Sequence, residues 1–221
     1  MARVSSPPQR GLRRTGGGSA AHRKEVVVKR ALIRFALGTV LGAVIAGVGF
    51  RAAPAFGYNL MGPKWNTNTV QYDKHTLSSS WQTVATFGAS QWTNVSPSPF
   101  TWVSNNNSNN DITRAAIDGG GGTLAVTTVW YSGGIISRAN IKFDSAENWY
   151  VGSSTPGSNQ IDARAVSAHE FGHGAGIGHS SSGGCSSCPN RYTMCASYVV
   201  GSTCQRSLEA DDRNALNALY P

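Results

Sequence analysis

The chain has 221 residues, with 19 Lys and Arg against 11 Asp and Glu, a formal charge of +8. Ten of the basic residues precede residue 56, where Glu25 is the single acid, so the remainder carries nine basic and ten acidic side chains and is close to neutral. Basic charge confined to one end is not a recognition surface, which excludes a nucleic-acid partner.

In chain order, residues 1–55 read as a basic leader and signal peptide. They are Arg/Lys-rich up to Arg34 and mostly apolar from Phe35 to Phe50, and they end in Arg51-Ala-Ala-Pro-Ala55, with cleavage expected after Ala55. The alternative is an uncleaved membrane anchor, since an apolar run of about 16 residues lies near the lower limit for spanning a bilayer. A membrane enters only through that leader. Residues 56–221 are long enough for one domain with its own core, expected to be secreted and monomeric.

Within that domain Thr67–Tyr72 reads as a strand and His75–Trp92 as a helix, with Leu77, Trp81, Val84 and Phe87 on one buried stripe. Phe100–Val103 and Ile112–Ile117 are strands around the polar loop Asn105–Asn110. Thr123–Tyr131 and Ile135–Phe143 follow glycine-rich turns and are rich in β-branched residues. Asp162 is placed to cap a helix carrying His169 and His173, and Ser207 to cap a last helix with Leu208, Leu216 and Leu219 inward. Strands first and helices after them predict an α+β fold with a mixed sheet.

Residues 169–179 read His-Glu-Phe-Gly-His-Gly-Ala-Gly-Ile-Gly-His. On a helix, His169 and His173 project from one face and can share a metal, with Glu170 at the neighbouring angle from which a carboxylate reaches a reacting water. Gly176 can adopt the left-handed conformation that ends the helix and folds His179 back as a third ligand. Three nitrogen ligands leave one tetrahedral position open, as catalytic zinc requires. A zinc-binding or adhesive module without turnover is the rival, and the intact Glu170 argues against it.

All four cysteines, Cys185, Cys188, Cys195 and Cys204, fall within twenty residues of the exported part. Two disulfides are expected, with three pairings available. Cys185–Cys188 with Cys195–Cys204 is the favoured pairing, and four thiolates on a structural zinc is the rival reading.

With its Met194 fifteen residues beyond His179, HEFGHGAGIGH resembles the metzincin clan of zinc endopeptidases. Tyr198, four residues after Met194, and the closing stretch Leu208–Pro221 are similar to the matrixin branch, although Ala196 stands where matrixins commonly carry Pro. The resemblance implies a zincin domain with a twisted mixed sheet, an active-site helix and a C-terminal helix. Its implied chemistry is endopeptidase cleavage of protein or peptide substrates, with one catalytic zinc on His169, His173 and His179 and Glu170 as general base. Met194 would form an apolar floor under the metal, Tyr198 would line the substrate pocket, and Asp144 and Glu147 would hold calcium. Lys142 stands where the family has a His on a second zinc, so that second site is not expected. No Cys precedes Cys185, so latency through a propeptide thiolate is not expected either.

Overall fold

Stretches of period two and period 3.6 become strands and helices in the order β1 (His22–Arg30), β2 (Thr69–Tyr72), α1 (Ser79–Trp92), β3 (Thr101–Ser104), β4 (Ile112–Ala115), β5 (Thr123–Ser132), β6 (Ile135–Asp144), β7 (Trp149–Tyr150), β8 (Ile161–Asp162), α2 (Ala163–Gly174), β9 (Ser197–Tyr198) and α3 (Ala210–Leu219). The structure is a computed structural model and describes residues 22–30, 57–93, 95–186 and 188–221. The apolar stretch 35–50 and the expected cleavage after Ala55 lie outside the described residues. Among the described residues, no helix is long and apolar enough to cross a membrane.

Five strands form one sheet in the order β4-β6-β5-β1-β9. β4 runs parallel to β6, β6 and β1 run antiparallel to β5, and β9 runs parallel to β1, so the sheet is mixed and the fold is α+β as expected. β5 and β6 are joined by Gly133-Gly134 with φ of 57° and 80°. Two consecutive residues with positive φ make the tight turn whose twist suits a hairpin. The β5–β6 register slips between Trp130 and Tyr131, leaving Ser137 as the extra residue. That bulge explains why Ile136 and Ala139 both point inward although three apart, before alternation resumes at Ile141 and Phe143.

Helix α1 starts at Ser79, not at the expected His75. The Asp73 carboxylate accepts the His75 main-chain N–H and faces its ring nitrogen, and the Leu77 N–H is taken by Lys74 O, so this stretch closes a turn instead. Leu77, Trp81 and Val84 are buried as the stripe predicts, whereas Phe87 is only half-buried. Gly88 lets α1 approach α2 closely: a Cβ there would lie 2.6 Å from the main-chain carbon of Ser167. Trp92, fully buried, donates its indole N–H to Ala168 O in α2 at 2.6 Å. Trp102 and Tyr72 pack edge-on against Phe171 of the same helix. The core therefore grips α2 along its length.

The last helix is capped by Glu209, not by Ser207. Leu208 is buried, which carries the chain inward before the helix begins, and Glu209 and Asp212 form a reciprocal capping box.

Candidate metal centre

The amino end of α2 is fixed by Asp162, whose Oδ1 accepts the N–H groups of Arg164 and Ala165, as the sequence predicts. Its other oxygen pairs with Arg206 Nε at 2.5 Å, and burial pushes this carboxyl up even with that partner. The helix then presents His169 and His173 from one face and stops at Gly174. Gly176 has φ 97°, and a Cβ there would sit 2.7 Å from Pro63 O, so both conformation and space require glycine. Beyond it, Gly178 N–H reaches Asn59 O and Asn59 Nδ2 reaches His179 O, which lays residues 176–179 against the start of the domain.

This path brings the three histidines together. Their ligating atoms lie within 4.8 Å of one another, and among the described residues they form the one His/Cys/Asp/Glu cluster able to hold a metal. His173 Nε2 lies 2.8 Å from His169 Nε2 and 3.1 Å from His179 Nε2. A tetrahedron of nitrogens roughly 2.0–2.1 Å from zinc has edges of about 3.3 Å, so the trio is close to the required spacing. The outer nitrogens decide the tautomers. His169 Nδ1 is 2.7 Å from Thr193 O and His173 Nδ1 is 2.7 Å from Ile177 O. A carbonyl only accepts, so Nδ1 carries the proton and the Nε2 lone pairs of both rings face each other. A shared cation turns that repulsion into ligation. Burial drives His169 down to about 3, with the His179 charge adding to it, and drives His173 well below its ordinary range; burial also lowers His179. All three rings are therefore neutral at neutral pH, the form that binds metal.

Glu170, fully buried between two ligands in sequence, is pushed up to about 8 by burial, partly offset by a hydrogen bond from Thr127. A divalent cation beside it favours the carboxylate and reverses that shift. Its Oε2 accepts from the Thr127 hydroxyl, while Oε1 is buried with no hydrogen-bond partner. An orphaned carboxylate oxygen on the residue next to His169, where three ring nitrogens converge, fits a site built for a metal and a reacting water. Thr127 escapes the sequence reading. The only signal for it is a polar residue in the inward row Ala125–Thr127–Val129 of β5.

Met194 is fully buried beneath α2, and a Cβ on Gly172 would lie 2.4 Å from its sulfur. Its turn hangs from α3: Asp212 accepts the N–H groups of Thr193 and Met194 in addition to that of Glu209. Burial pushes Asp212 up to about 6 in spite of these three donors. Through Thr193 O, α3 thus positions His169. Tyr198 is buried, with its hydroxyl accepting from Asp162 N–H at 2.8 Å and donating to Ser202 O at 2.7 Å. That proton is committed to Ser202 O, so the hydroxyl is not free to donate elsewhere.

The disulfides are Cys185–Cys195 and Cys188–Cys204, not the nearest-neighbour pairs favoured above. Gly184 O accepts the Tyr192 N–H, which folds Cys185 back beside Cys195, and Ser202 brings the next segment to Cys188. Asp144 and Glu147 converge on the glycine-rich loop. Asp144 accepts N–H groups of Asp118, Gly119 and Ala146, and Glu147 those of Gly121 and Gly122. Asp144 stays below the usual carboxyl range because these donors outweigh burial. Lys142, two residues before Asp144, is exposed on the outward face of β6.

A family model described as Matrixin matches residues 64–221. Among curated proteins, mouse (Mus musculus) matrix metalloproteinase-25 is 42% identical over 80 residues, covering 35% of this chain and 12% of that protein. Metalloendoproteinase 1-MMP of Arabidopsis thaliana is 31% identical over 134 residues, covering 54% of this chain and 36% of its own length. The chain therefore spans well under half the length of either relative. From the strand pair β2–β3 through the histidine helix to α3, the match is continuous, and the chain belongs to the matrixin family.

Proposed function

We propose that this chain is a secreted, monomeric zinc endopeptidase that hydrolyses protein or peptide substrates, with residues 1–55 as its export leader. The reading is carried by one observation: three neutral imidazoles, two of them buried, bring their ring nitrogens together, and the residue next to His169 has a buried carboxylate oxygen with no partner. His169, His173 and His179 would hold the zinc, which when bound acts as a Lewis acid, lowering the pKa of water and polarising a carbonyl. Glu170 Oε1 accepts the proton of the attacking water and returns it to the leaving amine. Met194 and the core around Phe171 keep the floor of the site apolar and dry.

The two strand edges near the site accept an extended chain. β1 lies antiparallel to β5, the strand that carries Thr127, and parallel to Ser197–Tyr198, just beyond Met194. A backbone ladder on both sides is how an extended peptide adds to a sheet edge. Removal of residues 1–55 takes β1 away and leaves the same two edges for a substrate.

The test compares cleavage of denatured casein by the wild type and Glu170→Gln at equal zinc content. We expect the variant to keep its zinc and lose about 10²- to 10⁴-fold in turnover. A folded, zinc-loaded wild type that leaves casein intact would refute general proteolysis and favour a zinc-binding module.

A further inference from the structure

Thr127 and Glu170 come from different elements, 43 residues apart, and both are fully buried. The Thr127 oxygen contacts two acceptors on Glu170, the carboxylate Oε2 and the main-chain O at 3.2 Å. Thr127 itself has little freedom. It is paired with Ile141 on one side and Val26 on the other, in the interior of β5, and a β-branched side chain in a strand is stiff about χ1. The hydroxyl is thus a fixed point on the sheet to which a glutamate with three side-chain torsions is tied. One carboxylate oxygen is held and the other is left without a partner.

We propose that Thr127 is a positioning residue: its hydroxyl tethers Glu170 Oε2 to the sheet and leaves Oε1 as the oxygen that moves the proton. The proposal rests on Glu170 being the general base. A hydroxyl serving only the fold would bond the Glu170 main chain, and its loss would leave the carboxylate's work unchanged. A carboxylate freed from its tether samples other rotamers, and misplacement of a reacting group by about 1 Å is enough to cost on the order of 100-fold in rate.

The experiment uses the zinc-loaded chain after removal of residues 1–55, the form proposed above to take substrate, as wild type, Thr127→Val, Thr127→Ser, Glu170→Gln and the Thr127→Val/Glu170→Gln double variant. Initial rates on labelled denatured casein give kcat and KM, and acetohydroxamate binding gives a readout that needs no turnover, because this ligand gives up its hydroxyl proton to a base as it binds. We expect Thr127→Val to lower kcat by about 10- to 100-fold with KM within about twofold, and Thr127→Ser to recover most of it. Acetohydroxamate should bind about tenfold more weakly to Thr127→Val, and Thr127→Val should cost less than about twofold once Glu170 is Gln. Equal kcat in Thr127→Val and wild type, or a serine variant as impaired as the valine one, overturns the proposal. If the wild type does not cleave casein, the peptidase reading fails separately, and the acetohydroxamate cycle alone decides: coupling below about twofold between the two sites overturns the tether.

Discussion

Residues 162–179 and residues 180–208 meet at the same metal centre, but they are held by different means. In the first stretch the contacts that start the helix, orient His173 and turn the chain to His179 are local: Asp162 caps two and three residues ahead, His173 Nδ1 faces Ile177 O four residues on, and Gly176 turns the chain three residues before His179. The second stretch has little regular structure and is held by crossed disulfides within it, by Asp212 of α3, and by its own Arg206, which pairs with Asp162 and donates to the main-chain oxygens of residues 152–154. Local geometry sets where the metal goes. Long-range ties set the wall and floor around it.

Breaking the local stretch should have the largest effect. His179→Ala removes one of three ligands and opens the site. Since losing a mere supporting hydrogen bond to a ligand costs about 10- to 100-fold in metal affinity, we expect at least a 100-fold loss here, with casein cleavage abolished. A competition titration against a chromogenic chelator measures it. Affinity within tenfold of wild type would mean His179 is not a ligand.

Breaking the ties of the second stretch should leave zinc in place and cost stability. Cys188→Ser with Cys204→Ser removes a bridge of sequence separation 16, worth about 3 kcal/mol by loop-closure entropy. We expect a lower Tm in thermal unfolding, zinc affinity within about tenfold, and no free thiol by thiol titration, because Cys185 and Cys195 remain paired. Two free thiols in that variant would overturn the Cys188–Cys204 pairing.

The same contrast explains what could be read from the sequence. The three histidines, Glu170, the Asp162 cap and the α+β order were legible because each depends on spacing along a few residues. The disulfide pairing was not, because it depends on Gly184 meeting Tyr192 and Ser202 meeting Cys188. Thr127 was invisible for the same reason: only the packing of β5 on α2 puts its hydroxyl at Glu170. The cap of α3 moved from Ser207 to Glu209 because burial of Leu208 decided which polar residue stood at the helix mouth. β1 comes from residues whose basic composition read as a leader, and its place in the sheet is set entirely by partners beyond residue 122.

Where the two stretches touch, the effect should be intermediate. Gly172 on α2 faces Met194 and Trp92, and a Cβ there would lie 2.4 and 2.6 Å from them. Gly172→Ala overpacks this contact, and we expect a loss of about 1–3 kcal/mol in urea unfolding. The Met194 thioether is flexible enough to give way, but Trp92 is tied to Ala168 O and is not. Met194→Ala in the same background should therefore recover only part of the loss. Full recovery would mean that the sulfur alone made the clash.

The smallest effect should come from calcium at Asp144 and Glu147, and it sharpens the comparison by testing a third way of holding a loop. Five main-chain N–H groups already point at these two carboxylates. Donors aimed at the oxygens satisfy them and oppose a cation at the same face, and two carboxylates need several carbonyl oxygens besides to complete a calcium shell. A ligand that binds only the folded state stabilises it by RT ln(1 + [L]/Kd), so Tm reports the site directly. We expect 1 mM calcium, added to the zinc-loaded chain, to add less than about 1 kcal/mol. Asp144→Asn should cost more than that with or without calcium, since it turns a charged acceptor of three N–H groups into a neutral one with a donor of its own. A calcium-dependent rise in Tm that vanishes in Asp144→Asn and Glu147→Gln would show instead that the loop is closed by the cation, with the N–H groups in a secondary role.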